Sequence, residues 1–204
     1  MREMSDREYL LRRAAAGIAL LGLVLPALAV WLWLPPMMPK QGPALPPVVR
    51  EALRADGSRP ATWLARVHLG ELHAAGLLAR ERHLRYIVRE CILALWLTTF
   101  WSQDEMLDAL GAIGWTGDQR YGLEAGAQYY FRRPLARLTS AEVATLIAIL
   151  RSPRVFDPAC HPDRTVDARN AVLGRLQTAG AITPVEATKA MATPLTTSTA
   201  CSTP

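Results

Sequence analysis

An apolar run from Ala14 to Leu34 constrains what this chain can fold into more than any other feature. It holds 21 residues without a charge, and an α-helix needs about 20 to cross the hydrocarbon core of a bilayer. Pro26 in its middle is tolerated in membrane helices. Trp31 and Trp33 lie near its end, where interfacial aromatic residues belong. The run therefore predicts a transmembrane helix over residues 14–34.

The residues before this run indicate its orientation. Four arginines lie within residues 1–13, and positive charge is retained on the cytoplasmic side of a membrane helix. A cleaved secretory signal peptide is the alternative, because such peptides also begin with positive charge. The run is longer than a signal peptide's apolar region, and small residues are missing at its exit, WLWLPPMMPK. We expect a retained anchor with a cytoplasmic N-terminus.

The remaining chain divides into three parts. Residues 35–47 are rich in proline and are predicted to form an extended linker. Residues 48–191 show apolar spacing typical of helices, as in Val143 to Leu150, and no sustained strand alternation. The tail, 192–204, has few apolar residues and is predicted to be disordered. The fold class is therefore all-α.

Three helix starts within the predicted domain carry the same signature. In each, a Ser or Thr at the N-cap is followed three residues later by Glu, the capping box that satisfies exposed backbone N–H groups. The pairs are Ser102 with Glu105, Thr139 with Glu142, and Thr183 with Glu186.

Charge and cysteine content exclude several classes of protein. The net charge is +5, and all but two of the 23 basic residues are arginine, the exceptions being Lys40 and Lys189. This balance permits an anionic partner, but no concentrated basic stretch indicates nucleic acid. Cys91, Cys160 and Cys201 are too few for a zinc site or a disulfide framework. Cys160 and Cys201 can bridge in an oxidising compartment, a pairing that sequence leaves open.

Residues Arg82 to Leu95 predict an amphipathic helix. Its apolar stripe is predicted to pack into the core and consists of Leu84, Ile87, Val88, Cys91, Ile92 and Leu95. The opposite side holds Arg82, Arg85, Tyr86, Arg89 and Glu90. This polar side is either a solvated face with surface ion pairs or an anion-binding face beside an acid or base.

A longer segment distinguishes these interpretations. Residues 121–158, YGLEAGAQYYFRRPLARLTSAEVATLIAILRSPRVFDP, resemble the Gly-Val-Glu-Ala-Ala-Ala-Gln-x-Tyr-Phe-Gly-Lys segment and following helix of family 51 glycosyltransferases, the peptidoglycan polymerases. The resemblance extends from Arg82 to Lys189. It implies a lysozyme-like helical domain behind a membrane anchor, with lipid II as substrate. It also implies two catalytic glutamates and, in active members, a divalent cation such as Mg²⁺ or Mn²⁺.

Several family positions carry over to this chain. Glu90 matches the second catalytic glutamate, because ECILAL follows the family pattern there. Tyr86 and Ile87 replace the family's Arg and Lys, and Arg85 and Arg89 beside them are candidates to compensate. Gln128 matches the family's glutamine. Arg133 stands for the family's lysine and keeps its charge.

The first catalytic motif departs from the family. In LPPVVREALRADGSR, residues 45–59, Gly57 and Ser58 occupy the positions of the Glu-Asp pair. The base for the acceptor hydroxyl is therefore missing, and Asp56 is the nearest substitute. The Gly-Gly-Ser-Thr-x-x-Gln-Gln segment is not recognisable before Glu90, and Ala112 replaces an expected asparagine.

These departures predict a cell-wall protein whose lipid II polymerase activity is lost or much reduced, acting by binding precursor or division and elongation proteins. The alternative is an active, divergent transglycosylase that uses Asp56 or Glu71. We expect a single-pass protein of the bacterial inner membrane with its domain outside the cytoplasm, no nucleic-acid partner and no certain cofactor. The candidate catalytic residues are Glu90 and Asp56; the candidate substrate-binding residues are Arg82, Arg85, Arg89, Arg133 and Gln128.

Overall fold

A single helix with hardly any polar surface organises the larger part of the core. Residues Val143 to Leu150 are all buried within a helix that begins after a capping box at Thr139. A helix that is apolar on every side has to be surrounded by other elements. The other helices of the domain therefore arrange around it.

The computed structural model describes residues 39–57, 59–77, 83–198 and 201. Within these ranges the chain is mostly helical, as predicted. The helices are α1 (Pro47–Ala55), α2 (Pro60–Ala74), α3 (His83–Phe100), α4 (Gln103–Ile113), α5 (Leu123–Phe131), α6 (Ser140–Arg151), α7 (Pro162–Thr178) and α8 (Pro184–Ala192).

The helices pack in two groups that share contacts. Helices α1, α5 and α7 contact α6, and α8 packs mainly against α7. Helix α2 packs against both α3 and α4, and α4 also contacts α1 and α5. The predicted capping boxes at Ser102, Thr139 and Thr183 are all confirmed, and they begin α4, α6 and α8.

A short β-hairpin corrects the strictly all-α prediction. Strands β1 (Trp115–Gly117) and β2 (Arg120–Tyr121) pair antiparallel between α4 and α5. The turn residues Asp118 and Gln119 both adopt positive φ angles, the backbone of a tight hairpin turn. Strands of three and two residues are too short to show the alternation by which sequence reveals a strand.

The start of the described chain lies against α4. Leu45 is buried, and its backbone N–H donates to Asp108 Oδ1 at 3.0 Å. Arg50 donates to both carboxylate oxygens of Asp108, at 2.8 and 2.9 Å. Part of the predicted linker, 35–47, thus packs on the domain.

The predicted transmembrane helix, 14–34, lies outside the described residues. Among the residues that are described, no helix has the length and apolar content to span a membrane.

Helix α3 buries a different side from the one that the sequence predicted to be core. The predicted core stripe is largely exposed: Ile87, Val88 and Cys91 face outward, and Leu95 is 70% exposed. Glu90, Leu93 and Leu97 are buried instead, on the side that packs against α2. The helix carries apolar residues on both sides, so periodicity alone does not decide which side becomes core.

The predicted disordered tail makes specific contacts where the structure describes it. Ser198 donates its backbone N–H to the Tyr130 carbonyl at 2.9 Å, at the end of α5. Cys201 forms a disulfide with Cys160. The pairing that the sequence left open is therefore made, and it closes a 41-residue loop around α7 and α8.

The orientation of α3 predicts unequal effects of two leucine substitutions. Leu97 is fully buried, so Leu97→Ala is expected to lower the free energy of unfolding by about 2–5 kcal/mol. Leu95→Ala is expected to change it by less than about 0.5 kcal/mol, as for exposed sites. Urea unfolding followed by circular dichroism measures both, and a larger cost at Leu95 would refute the orientation.

The disulfide predicts a redox-dependent stability. Cys201→Ser is expected to lower the free energy of unfolding by about 2–4 kcal/mol, because the unfolded chain gains the freedom that the bridge removes. Unfolding with and without dithiothreitol measures this. The wild type should lose stability on reduction and the variant should not, whereas Cys91→Ser, at the exposed free cysteine, should behave as the wild type.

Candidate functional site

A cavity of about 340 Å³ opens where the end of α1, the start of α2 and the end of α6 meet. Three of its seven lining residues are arginines, so the cavity is electropositive and is suited to an anionic group. The lining residues are Asp56, Gly57, Arg59, Thr62, Trp63, Arg66 and Arg151.

Asp56 lies in the wall of this cavity as a buried structural carboxylate. It is the C-cap of α1, and its side chain is only 2% exposed. Arg151 Nη1 and Arg175 Nη2 donate to its Oδ1 at 3.2 and 2.5 Å. The residue predicted as a substitute base thus joins α1 to the end of α6 and to α7.

Gly57, which the sequence resemblance aligns with the family's first catalytic glutamate, follows Asp56 at the end of α1. Its φ is +71°, and a Cβ built on it would meet nothing within 4 Å. Gly57 itself is exposed and lines the cavity. The position thus has open space but no carboxylate, while Ser58 lies outside the described residues.

Glu90 reaches the same cavity through a partner on α2. Its side chain is 12% exposed and accepts from Arg66 Nη2 at 2.7 Å and from Arg66 Nε at 3.3 Å. The hydrogen bond to Glu90 raises the pKa of the Arg66 guanidinium above its usual value. Tyr86 donates its hydroxyl to the Arg66 carbonyl at 3.2 Å. Two predicted motif residues of α3 thus converge on Arg66.

Sequence reasoning missed Arg66. It lies 24 residues before Glu90, in a segment without a recognisable motif. The available signal was indirect: a carboxylate on a buried helix face requires a cation. That signal could be used only once Glu90 was known to face α2.

The other predicted site residues do not gather at the cavity where their side chains are described. Arg133 is exposed and donates to Glu142 at 3.3 Å. Gln128 is also exposed and donates to Glu124 at 3.4 Å. Arg89 is half-buried beside Glu90 on α3. Arg82 lies outside the described residues. Arg85 is part of α3, but its side chain is not among those that the structure describes.

The residues present do not fit a bound divalent cation. No three His, Cys, Asp or Glu side chains come together in the described ranges. Glu90 and Asp56 each accept hydrogen bonds from arginine, and a guanidinium beside a carboxylate opposes a metal ion by charge repulsion.

Comparisons with a family model and with known proteins agree on one family. Residues 72–177, just over half of the chain, match a family model described as Transglycosylase. The chain is 34% identical over 119 residues to penicillin-binding protein 1A of Aquifex aeolicus, covering 58% of this chain and 16% of that protein. It is 39% identical over 82 residues to a biosynthetic peptidoglycan transglycosylase of Escherichia coli, covering 40% of this chain and 34% of the other.

A solved structure is also similar. Penicillin-binding protein 1A from Haemophilus influenzae superposes with a TM-score of 0.46 and 22% identity, covering 79% of this chain and 18% of that one. The chain thus spans between about a sixth and a third of the length of the relatives named above.

The position of Asp56 predicts a structural effect on mutation. Asp56→Asn removes the charge that Arg151 and Arg175 contact, and is expected to lower the free energy of unfolding by about 1.5–3 kcal/mol. Chemical denaturation measures it. The control is Asp118→Asn, an exposed carboxylate paired with Arg120, whose loss should cost under about 1 kcal/mol. Equal effects of the two variants would refute the structural role of Asp56.

Proposed function

The chain belongs to the transglycosylase family, and from this we propose that it is a membrane-anchored cell-wall protein that has lost most or all of its lipid II polymerase activity. It acts by binding lipid-linked precursor or a partner protein of the division or elongation machinery. Gly57 carries this proposal: a glycine occupies the position of the acceptor base in a family whose homology supports a peptidoglycan glycosyltransferase-like function.

The chemistry explains why one position matters so much. A sugar hydroxyl is a poor nucleophile at neutral pH, and removing its proton in the transition state contributes about 10²–10⁴-fold. Gly57 has no group to accept that proton. Asp56 does not replace it readily, because Oδ1 already accepts from two arginines and the side chain is almost fully buried.

Binding is better supported than catalysis by the residues that remain. Arg59, Arg66 and Arg151 line the cavity. A single guanidinium group can donate two parallel hydrogen bonds to the oxygens of a phosphate. Trp63 adds an aromatic surface beside them. An anionic pyrophosphate of a lipid-linked precursor is the ligand that fits both this charge and the family.

One observation favours the alternative, an active and divergent transglycosylase. Burial raises the pKa of the Glu71 carboxyl above its usual value, and a raised carboxyl pKa is a property of general acids and bases. Glu71 lies on α2, and its Oε2 is 3.7 Å from His68 Nδ1. It is not among the residues that line the cavity, which is why we favour loss of activity.

The proposed location rests on the sequence, and one structural feature supports it. We place residues 14–34 in the bacterial inner membrane, the N-terminus in the cytoplasm and the domain outside it. The disulfide between Cys160 and Cys201 supports this location, because such bonds persist in oxidising compartments.

Polymerisation of labelled lipid II by the purified full-length protein tests the proposal. The wild type is expected to form no glycan strands. Gly57→Glu is expected to form them, because the new carboxylate enters open space at the proposed position of the missing base, although its positive φ of +71° strains any side chain there. Gly180→Glu is the matched control, since Gly180 has a φ of +74° and equally open surroundings.

The outcomes separate the alternatives. Strands from the wild type that disappear in Asp56→Asn, Glu71→Gln or Glu90→Gln would establish the active enzyme and overturn the proposal. Inactivity of every variant would show that Gly57 is not the single cause of the loss. Retention of labelled lipid II by the inactive wild type supports a binding role, and its absence leaves the partner protein as the ligand.

A further inference from the structure

The cavity arginines differ in how they are held. Arg151 lines the cavity with 48% of its side chain exposed, and it shares the almost fully buried carboxylate of Asp56 with Arg175 of α7. Arg66 contacts Glu90, yet 65% of its own side chain is exposed. Arg66 is therefore a cation at the cavity surface whose counter-ion lies behind it, in the interface between α2 and α3.

The hydrogen bonds of Arg66 leave it able to bind a second anion. A guanidinium has five N–H donors in a rigid fork. Glu90 accepts from Nε and from Nη2, which accounts for one edge of that fork. A phosphate that enters the cavity can use the remaining donors or displace Glu90 from the edge that it occupies.

We infer that Arg66 supplies the anion-binding cation in place of the basic pair lost at Tyr86 and Ile87, and that Glu90 is its exchangeable counter-ion. An anion in the cavity competes with Glu90 for the guanidinium. Glu90 is thus a positioning residue in this chain: it holds Arg66 at the cavity while no ligand is bound. The inference rests on the proposed function only in the choice of a pyrophosphate as the ligand.

Competition by Glu90 and a purely structural role of Glu90 predict different changes in anion affinity for one substitution. Glu90→Gln keeps the shape of the side chain and an oxygen that can accept from Arg66, but it removes the negative charge that opposes an anion. If Glu90 competes, this variant binds an anion more tightly than the wild type. If Glu90 only supports the structure, the same variant binds the anion equally or more weakly.

Titration of the full-length protein with inorganic pyrophosphate, followed by isothermal titration calorimetry, tests the inference. Glu90→Gln is expected to bind about two- to fivefold more tightly, the scale of one partly exposed ion pair. Arg66→Ala is expected to bind at least about tenfold more weakly, and Arg66→Lys to lie between it and the wild type. The double variant Glu90→Gln with Arg66→Ala should bind as weakly as Arg66→Ala.

A matched pair on another helix provides the control. Arg54 Nη1 contacts Glu51 Oε2 at 2.9 Å within α1, and both residues line a different cavity. Arg54→Ala and Glu51→Gln should leave pyrophosphate binding unchanged. Thermal unfolding of each variant identifies any change that comes from loss of folding.

Three results would overturn the inference. They are binding by Glu90→Gln that is no tighter than wild type, binding by Arg66→Ala that equals wild type, and no pyrophosphate binding by either the wild type or Glu90→Gln.

These results are separate from those for the proposed function. Polymerisation of lipid II by the wild type would refute the loss of activity without changing the titration. A negative titration would leave the loss of activity intact.

Discussion

The candidate site depends on one interaction, the pairing of the buried Asp56 carboxylate with two arginines. A charge taken out of water has to be paired, and Arg151 and Arg175 provide that pairing from α6 and α7. Because Asp56 is the C-cap of α1, the pairing fixes where α1 stops and where Gly57 turns towards α2. The cavity wall therefore follows from an electrostatic requirement, while the packing of α6 supplies the rigid support behind it.

The same requirement decides what the cavity can do. The two carboxylates predicted to be catalytic, Asp56 and Glu90, both accept hydrogen bonds from arginines. A carboxylate held in this way orients a cation and contributes less as a base towards a substrate. The cavity that results is lined by the guanidinium groups of Arg59, Arg66 and Arg151.

Helix α3 shows why part of the site could not be predicted. Its sequence has apolar residues at helical spacing on two sides, and a hydrophobic pattern gives the angle of a stripe but not the element that covers it. In the structure α2 covers the side with Leu93 and Leu97. That choice turns Glu90 inward and brings it to Arg66, a partner that no local pattern in α2 indicated.

The sequence by itself determined the helical class, the capping boxes, the buried helix α6 and the absence of a carboxylate at Gly57, because these features depend on residues that are close along the chain. Tertiary structure decided the rest: the side of α3 that became core, the pairing of Arg66 with Glu90, the burial of Asp56, and the bridge between Cys160 and Cys201. Each joins residues far apart in sequence, and such contacts are set by how whole elements pack together.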